Sequence, residues 1–235
     1  MRNTCTDSAG WKSIDEMNSE LIECVACPRL VKFREEVAQR YKRYRERFWS
    51  RPVPGFGDIS GRILILGLAP APAGGNRTGR VFTGDRSSDF LVSCLHEVGI
   101  TNKPTSESRD DGLQYRDAYI TAAVKCVPPD NRPEREEMER CSRYLDYEIC
   151  SMGNLKAVVA LGSIAFSAFK SYAKRRGADT RGMRFEHGKS YSVLGVRLFC
   201  LYHPSPRNVN TGKLTRDAFI RGLKEVLQYV SAQDK

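Results

Sequence analysis

Short apolar runs that break off into segments rich in glycine, proline and asparagine constrain this chain most. Arg62–Leu66, Tyr119–Val124 and Val196–Tyr202 each lead into such a segment: 67-GLAPAPAGGNRTGRVFTGD-85, 121-TAAVKCVPPDNRP-133 and 202-YHPSPRNVNTGK-213. Runs this short and this continuously apolar are those of parallel strands covered on both faces. Leu155–Leu161 is a further run of the same kind, and Phe185 to Tyr202 reads as strands about the turn Leu194-Gly195. Ligands bind beyond the carboxyl ends of the strands in open α/β sheets. Three such segments at strand ends therefore describe one composite site.

Helical patterns separate these strands. Ser13-Ile14-Asp15-Glu16 matches a capping box ahead of Ile14, Met17, Leu21 and Ile22 at helical spacing. Ser88 is expected to cap a helix bearing Phe90, Leu91, Leu95 and Val98, with Gly99 as the glycine just past its end. Pro133 suits the first turn of a helix through about Cys150, followed by Gly162-Ser163 opening another and Leu214 to Val230 closing the chain. The alternation predicts one three-layer α/β/α domain with a central, mainly parallel sheet. Its boundaries are 1–235, with an N-terminal helical segment (11–58) packed on an α/β core (60–230).

The chain carries a net charge of +10 and a pI near 9.3. That surplus favours a polyanionic partner, because phosphates neutralised by Lys and Arg release counterions. Lys32 to Arg51 interleaves basic residues with Phe33, Tyr41, Tyr44, Phe48 and Trp49. This reads as an amphipathic helix with aromatics turned to the core and a basic patch outward. No run approaches the roughly 20 apolar residues of a membrane span, and the polar start lacks a signal-peptide core. A cytoplasmic protein acting beside the nucleoid, without a membrane partner, is expected.

In a reducing compartment the eight cysteines point to a metal site or the core rather than to a disulfide framework. Cys24 and Cys27 form a CxxC pair, and Cys126 precedes two prolines. Cys141 would complete four sulfur ligands for zinc or an iron–sulfur cluster, although Cys150 fits the spacing equally. Cys94 and Cys200 read as core residues, and Cys5 lies in a loose terminus.

The CxxCP element, Gly67–Ala71 with Gly74–Arg80 and Phe82–Asp85, the Lys125–Asn131 stretch and His203-Pro204-Ser205-Pro206 together resemble the uracil-DNA glycosylase superfamily. The likeness is to its iron–sulfur branch, families 4 and 5, and above all to family 5 (type B). The resemblance implies a [4Fe–4S] cluster on Cys24, Cys27, Cys126 and Cys141. It also implies a monofunctional glycosylase of base-excision repair, hydrolysing the N-glycosidic bond of a flipped nucleotide. Phe82 would stack on the base, and the backbone amides of Gly67, Leu68 and Ala69 would hold the base edge or the water. His203 would donate to the uracil O2 as charge develops there.

Two departures follow. Leu68 and Ala69 stand where family 4 enzymes carry a carboxylate or similar polar residue. Ala122 stands where stricter uracil readers carry an asparagine, which predicts a relaxed pocket that also accepts hypoxanthine. Asp85 is the best remaining carboxylate, unless it only caps the helix beginning near Ser87. Asn76, Arg77, Thr78 and Arg80, with Lys213, are expected on DNA phosphates. Arg207 would plug the duplex at the head of a loop continuing through Asn208, Asn210 and Thr211.

The expected partner is DNA containing uracil or another deaminated base, and the expected state a monomer; no clear sliding-clamp motif is present. The alternative from another class is a non-catalytic iron–sulfur DNA-binding module associated with replication or repair. A phosphate-cradling nucleotide binder is disfavoured, since the Gly-rich loop has neither GxxxxGK[ST] nor the spacing of GxGxxG.

Overall fold

The computed structural model describes residues 10–41 and 48–233. The expectations for Tyr44 and Cys5 lie outside them. The elements in chain order are α1 Ile14–Ile22, α2 Pro28–Arg40, β1 Phe56–Gly57, β2 Ile63–Gly67, α3 Gly75–Thr78 and α4 Arg86–Glu97. There follow β3 Ala118–Ala122, a 3-10 turn at Pro129–Asn131, α5 Arg135–Ser151, β4 Ala157–Leu161 and α6 Ser163–Arg175. The last are β5 Ser190–Val193, β6 Val196–Leu201, α7 Pro206–Asn210 and α8 Arg216–Ala232.

The six strands form one sheet in the order β1-β3-β2-β4-β6-β5. The four inner strands are parallel, and the edge strands β1 and β5 pair antiparallel with their neighbours. Alternation along each inner strand divides the core in two. Ile63, Ile65, Ile120 and Val159 face Leu91 and Leu95 of α4 and Phe219 and Leu223 of α8. Leu64, Leu66, Val158 and Ala160 face Leu145 and Ile149 of α5 and Phe166 and Phe169 of α6. These are the three α/β/α layers and mainly parallel sheet expected. Among the described residues no helix is long and apolar enough to cross a membrane.

At the N-terminus, Met17 and Leu21 of α1 pack with Trp11 against Tyr144 of α5. Ser13 accepts from Glu16 N, but the Glu16 carboxylate accepts from Lys12 N, so the capping box is completed one residue early. The helix after the first motif is capped by Asp85 rather than Ser88. Asp85 accepts from Ser87 N and Ser88 N, and Ser88 is the reciprocal partner that accepts from Asp85 N. Asp outranks Ser here because it is three residues earlier, where the chain is still extended (φ −141°, ψ 168°). Gly99 follows α4 at φ +84°, as a terminating glycine should. Pro133 precedes α5, whose cap is Glu134. The segment 202–213 is not an extended loop, because Ser205 caps the short helix α7.

Candidate active site

The parallel strands β2 and β3, and β6 through His203, deliver their carboxyl ends to one side of the sheet. There an open cavity of about 390 Å³ is lined by Leu68, Ala69, Phe82, Asp85, Ala122, Asn131 and His203, among others. The sequence-expected catalytic and base-pocket residues thus meet in one place, with Gly67 directly behind Phe82. A Cβ on Gly67 would lie 2.7 Å from the Phe82 ring, so glycine is required for the ring to lie over the strand end. Phe82 itself has φ +45°, an unusual backbone for an aromatic residue and of the kind that marks functional turns.

The Phe82 ring centroid is 5.9 Å from that of His203, the planes tilted by 32°. His203 O accepts from Ser205 N and from Asn208 Nδ2, both at 2.8 Å. Leu201 O accepts from Gly162 N at 2.8 Å. Burial lowers the His203 pKa to about 4, which keeps the ring neutral at physiological pH. Asp85 Oδ1 takes the Ser87 and Ser88 amides at 2.8 and 3.0 Å. Its Oδ2 occupies space that a side chain on Gly74 would fill. Burial raises the Asp85 pKa, and the two amide hydrogen bonds only partly oppose it.

The residues expected on DNA divide. Arg207 and Lys213 are exposed, with Lys213 Nζ 4.5 Å from the Tyr202 ring centroid. Asn208 is half-buried and spent on His203 O. Arg77 is half-buried and donates to Ala73 O, and Thr78 Oγ1 bonds within its own turn. Arg80 and Asn76 contradict the expectation of phosphate contacts. Arg80 is 3% exposed and pairs with both carboxylate oxygens of Asp111 at 2.9 and 2.8 Å while donating to Thr83 and Ser106. Asn76 is 1% exposed and donates to Arg34 O. Both brace the loop from within, and neither reaches the surface.

Asn131, which ends the Lys125–Asn131 stretch and has no role assigned from sequence, is a cavity residue. It and Asp130 have φ +54° and +52° after two prolines, and Asp and Asn are the residues that best tolerate that conformation. A second omission is Lys125, buried beside Glu148 at 2.6 Å, with Thr121 hydrogen-bonded to both. Nothing in local sequence pairs residues 23 apart, so only the fold reveals it.

On the other side of the same chain segment, Cys24, Cys27, Cys126 and Cys141 line a second, small cavity of about 30 Å³. Cys150 does not line this cavity and accepts from Arg176 at 3.7 Å, whereas Cys141 lies among the lining residues. Donors face two of the sulfurs, Arg34 Nη1 to Cys126 at 3.4 Å and Lys125 N to Cys141 at 3.3 Å, and Arg140 and Tyr144 also line the cavity. Burial pushes the Cys126 thiol up to about 11 and Cys141 up to about 12, so a ligand here would displace protons. Among the described residues no three such side chains converge as on a single ion. Zinc needs its thiolates about 2.3 Å from one centre. Four thiols are a donor set that either zinc or an iron–sulfur cluster accepts.

The model of the uracil DNA glycosylase superfamily matches residues 54–227. The type-5 uracil-DNA glycosylase of Pyrobaculum aerophilum is 47% identical over 225 residues, covering 95% of this chain and 93% of that one. The type-5 enzyme of Thermus thermophilus is 46% identical, covering 87% and 93%. The type-4 enzyme of P. aerophilum is 34% identical over 65% of this chain and 71% of its own. Fold, site and these matches define the class as a DNA glycosylase, a hydrolase of N-glycosidic bonds. Within that class the chain belongs to the uracil-DNA glycosylase superfamily, and its type-5 relatives match it more fully than its type-4 ones.

Proposed function

We propose that this enzyme excises uracil and other deaminated bases such as hypoxanthine from DNA in base-excision repair, acting on a nucleotide turned out of the helix. The observation that carries the reading is the cavity itself. It offers one aromatic face, one neutral imidazole and one half-buried carboxylate, with the Asn131 amide at its edge and only a methyl at Ala122. The extruded base stacks on Phe82, whose face suits pyrimidine and purine alike. With only a methyl at Ala122, polar discrimination against a purine is weak.

As the C1′–N bond breaks, its electron pair moves onto the base. The neutral His203 ring donates a hydrogen bond to the base oxygen where that charge gathers. Because the ring is neutral in the resting enzyme, it helps as a dipole and surrenders no proton. Asp85, with Oδ1 held by two amides, uses Oδ2 to orient the water whose oxygen bonds to C1′. The carboxylate also offsets positive charge on the sugar and receives the proton that the water releases.

Cys24, Cys27, Cys126 and Cys141 would hold a [4Fe–4S] cluster, whose contribution here is to tie the N-terminal helices to the sheet. Arg34, Arg140 and the Lys125 amide would donate to its sulfur ligands. The test uses end-labelled duplexes carrying uracil, hypoxanthine or a normal base, with alkaline strand cleavage as the readout and His203→Ala as control. Cleavage at both lesions, lost in the variant, is expected. Tight DNA binding without cleavage of any lesion would overturn the reading.

A further inference from the structure

We propose that His187 is a positioning residue for base excision. It completes the β5–β6 ladder with a side-chain acceptor and so fixes Tyr202, the residue that delivers His203 to the cavity. The proposal rests on the reading of His203 as the group that meets the departing base.

The antiparallel ladder runs from Val193 opposite Val196 to Ser190 opposite Phe199. Backbone pairing continues past it, with Cys200 N donating to Lys189 O at 2.9 Å and Gly188 N donating to Cys200 O at 2.8 Å. The next donor along β6 is Tyr202 N. Opposite it the chain bends away in a turn closed by Lys189 N to Glu186 O, with Gly188 at φ +81°. There a side chain takes the place of a carbonyl: His187 Nδ1 accepts the Tyr202 N–H at 3.1 Å. The imidazole lies flat on the Tyr202 ring, centroids 4.6 Å apart and planes 12° from parallel. Lys213 Nζ sits 4.5 Å from the same ring and Phe185 packs against it.

With this bond, the backbone on both sides of His203 is held. Leu201 O is bound by Gly162 N, Tyr202 N by His187, and His203 O by Ser205 N and Asn208 Nδ2. Only an unprotonated Nδ1 can accept, and burial lowers the His187 pKa against the pull of Glu225, in keeping with that requirement. Without the acceptor, Tyr202 N–H loses its partner at the point where strand becomes active-site loop. Small displacements of a reacting group are expensive in rate, an ångström costing as much as about a hundredfold.

Two variants separate acceptor from ring. His187→Asn keeps an acceptor near the position of Nδ1 and drops the stack, whereas His187→Phe keeps the stack and drops the acceptor. Single-turnover excision of uracil, DNA affinity and amide hydrogen exchange at Tyr202 are measured on each. The Phe variant is expected to excise about tenfold more slowly with unchanged DNA affinity and faster Tyr202 exchange, the Asn variant to stay within about threefold of the parent. Parental excision by the Phe variant, equal slowing of both variants, or a loss of affinity in place of rate would overturn the proposal. His203→Ala runs alongside. Should it excise at the parental rate, the reading of His203 fails and the proposal with it. The Tyr202 exchange, which needs no catalysis, distinguishes that result from a failure of the His187 bond itself.

Discussion

At the scale of the residue, Asp85 carries two duties that a conservative change can part. Its Oδ1 caps α4, and its half-buried carboxylate is proposed to serve the water. Burial raises its pKa, so the folded state favours the protonated form. The stability this contributes is present below the unfolded pKa and lost as pH rises through the folded one, which makes the carboxylate a liability at neutral pH. Asp85→Asn keeps the capping oxygen and removes the charge. Its melting temperature should equal or exceed the parent's while excision falls by about a hundredfold or more. Asp85→Ala should in addition lose about 1 kcal/mol of cap. Thermal melts beside single-turnover rates check this, and a fully active Asn variant would reduce Asp85 to a cap. His203 gives the opposite sign. Its folded pKa of about 4 lies below the ordinary value, so the unfolded chain binds the extra proton and stability falls as pH drops from about 6.5 towards 4. Urea midpoints across that window should fall less in His203→Gln than in the parent.

At the scale of the element, the loop from Gly74 to Asp85 is held from beneath by Arg80, clamped to Asp111 from the segment between α4 and β3. Removing one partner strands the other, at a cost of about 3–5 kcal/mol for a buried pair. Arg80→Met is therefore expected to lower stability and excision while leaving the salt dependence of DNA binding unchanged. The exposed Arg207, replaced by Ala, should do the reverse, lowering the slope of log affinity against log salt by about 1. Titrations at several salt concentrations measure both. This contrast also shows what sequence can carry. The strands around Ile63–Gly67 and Ala157–Leu161 are legible because burial on both faces leaves a continuous apolar run. The cavity residues are legible because Gly67, Phe82 and His203 sit in segments with the wrong composition for either helix or strand. Whether an arginine faces phosphate or carboxylate depends on a partner 31 residues away, which no local pattern encodes. The two-residue β1 and the His187 acceptor escape for the same reason, since each exists only by virtue of a neighbour in space.

At the scale of the whole molecule, the two cavities share one stretch of chain. Ala122 lines the base cavity, and Val124, Lys125 and Cys126 line the thiol cavity, so at most four residues separate them. Between the two, Lys125 is locked to Glu148 and Thr121, and its own amide donates to Cys141. Helix α2 forms a second link, as Arg34 donates to Cys24 O and Cys126 Sγ while its carbonyl accepts from Asn76 of the Gly-rich loop. Whatever orders the thiols therefore braces both the second and the first segments around the base. On the proposed reading, Cys126→Ser or Cys141→Ser should lose iron and melt at lower temperature. Excision should fall even well below that melting temperature, because Ala122 and the Gly74–Asp85 loop lose their anchor. Cys200→Ala, which alters a buried strand residue far from this cavity in the sheet, should keep its iron and lose only packing stability. Iron content, melting and single-turnover excision on the same preparations test the coupling. An iron-free serine variant that melts lower yet excises at the parental rate in the cold would show that the thiol site steadies the fold without reaching the base pocket.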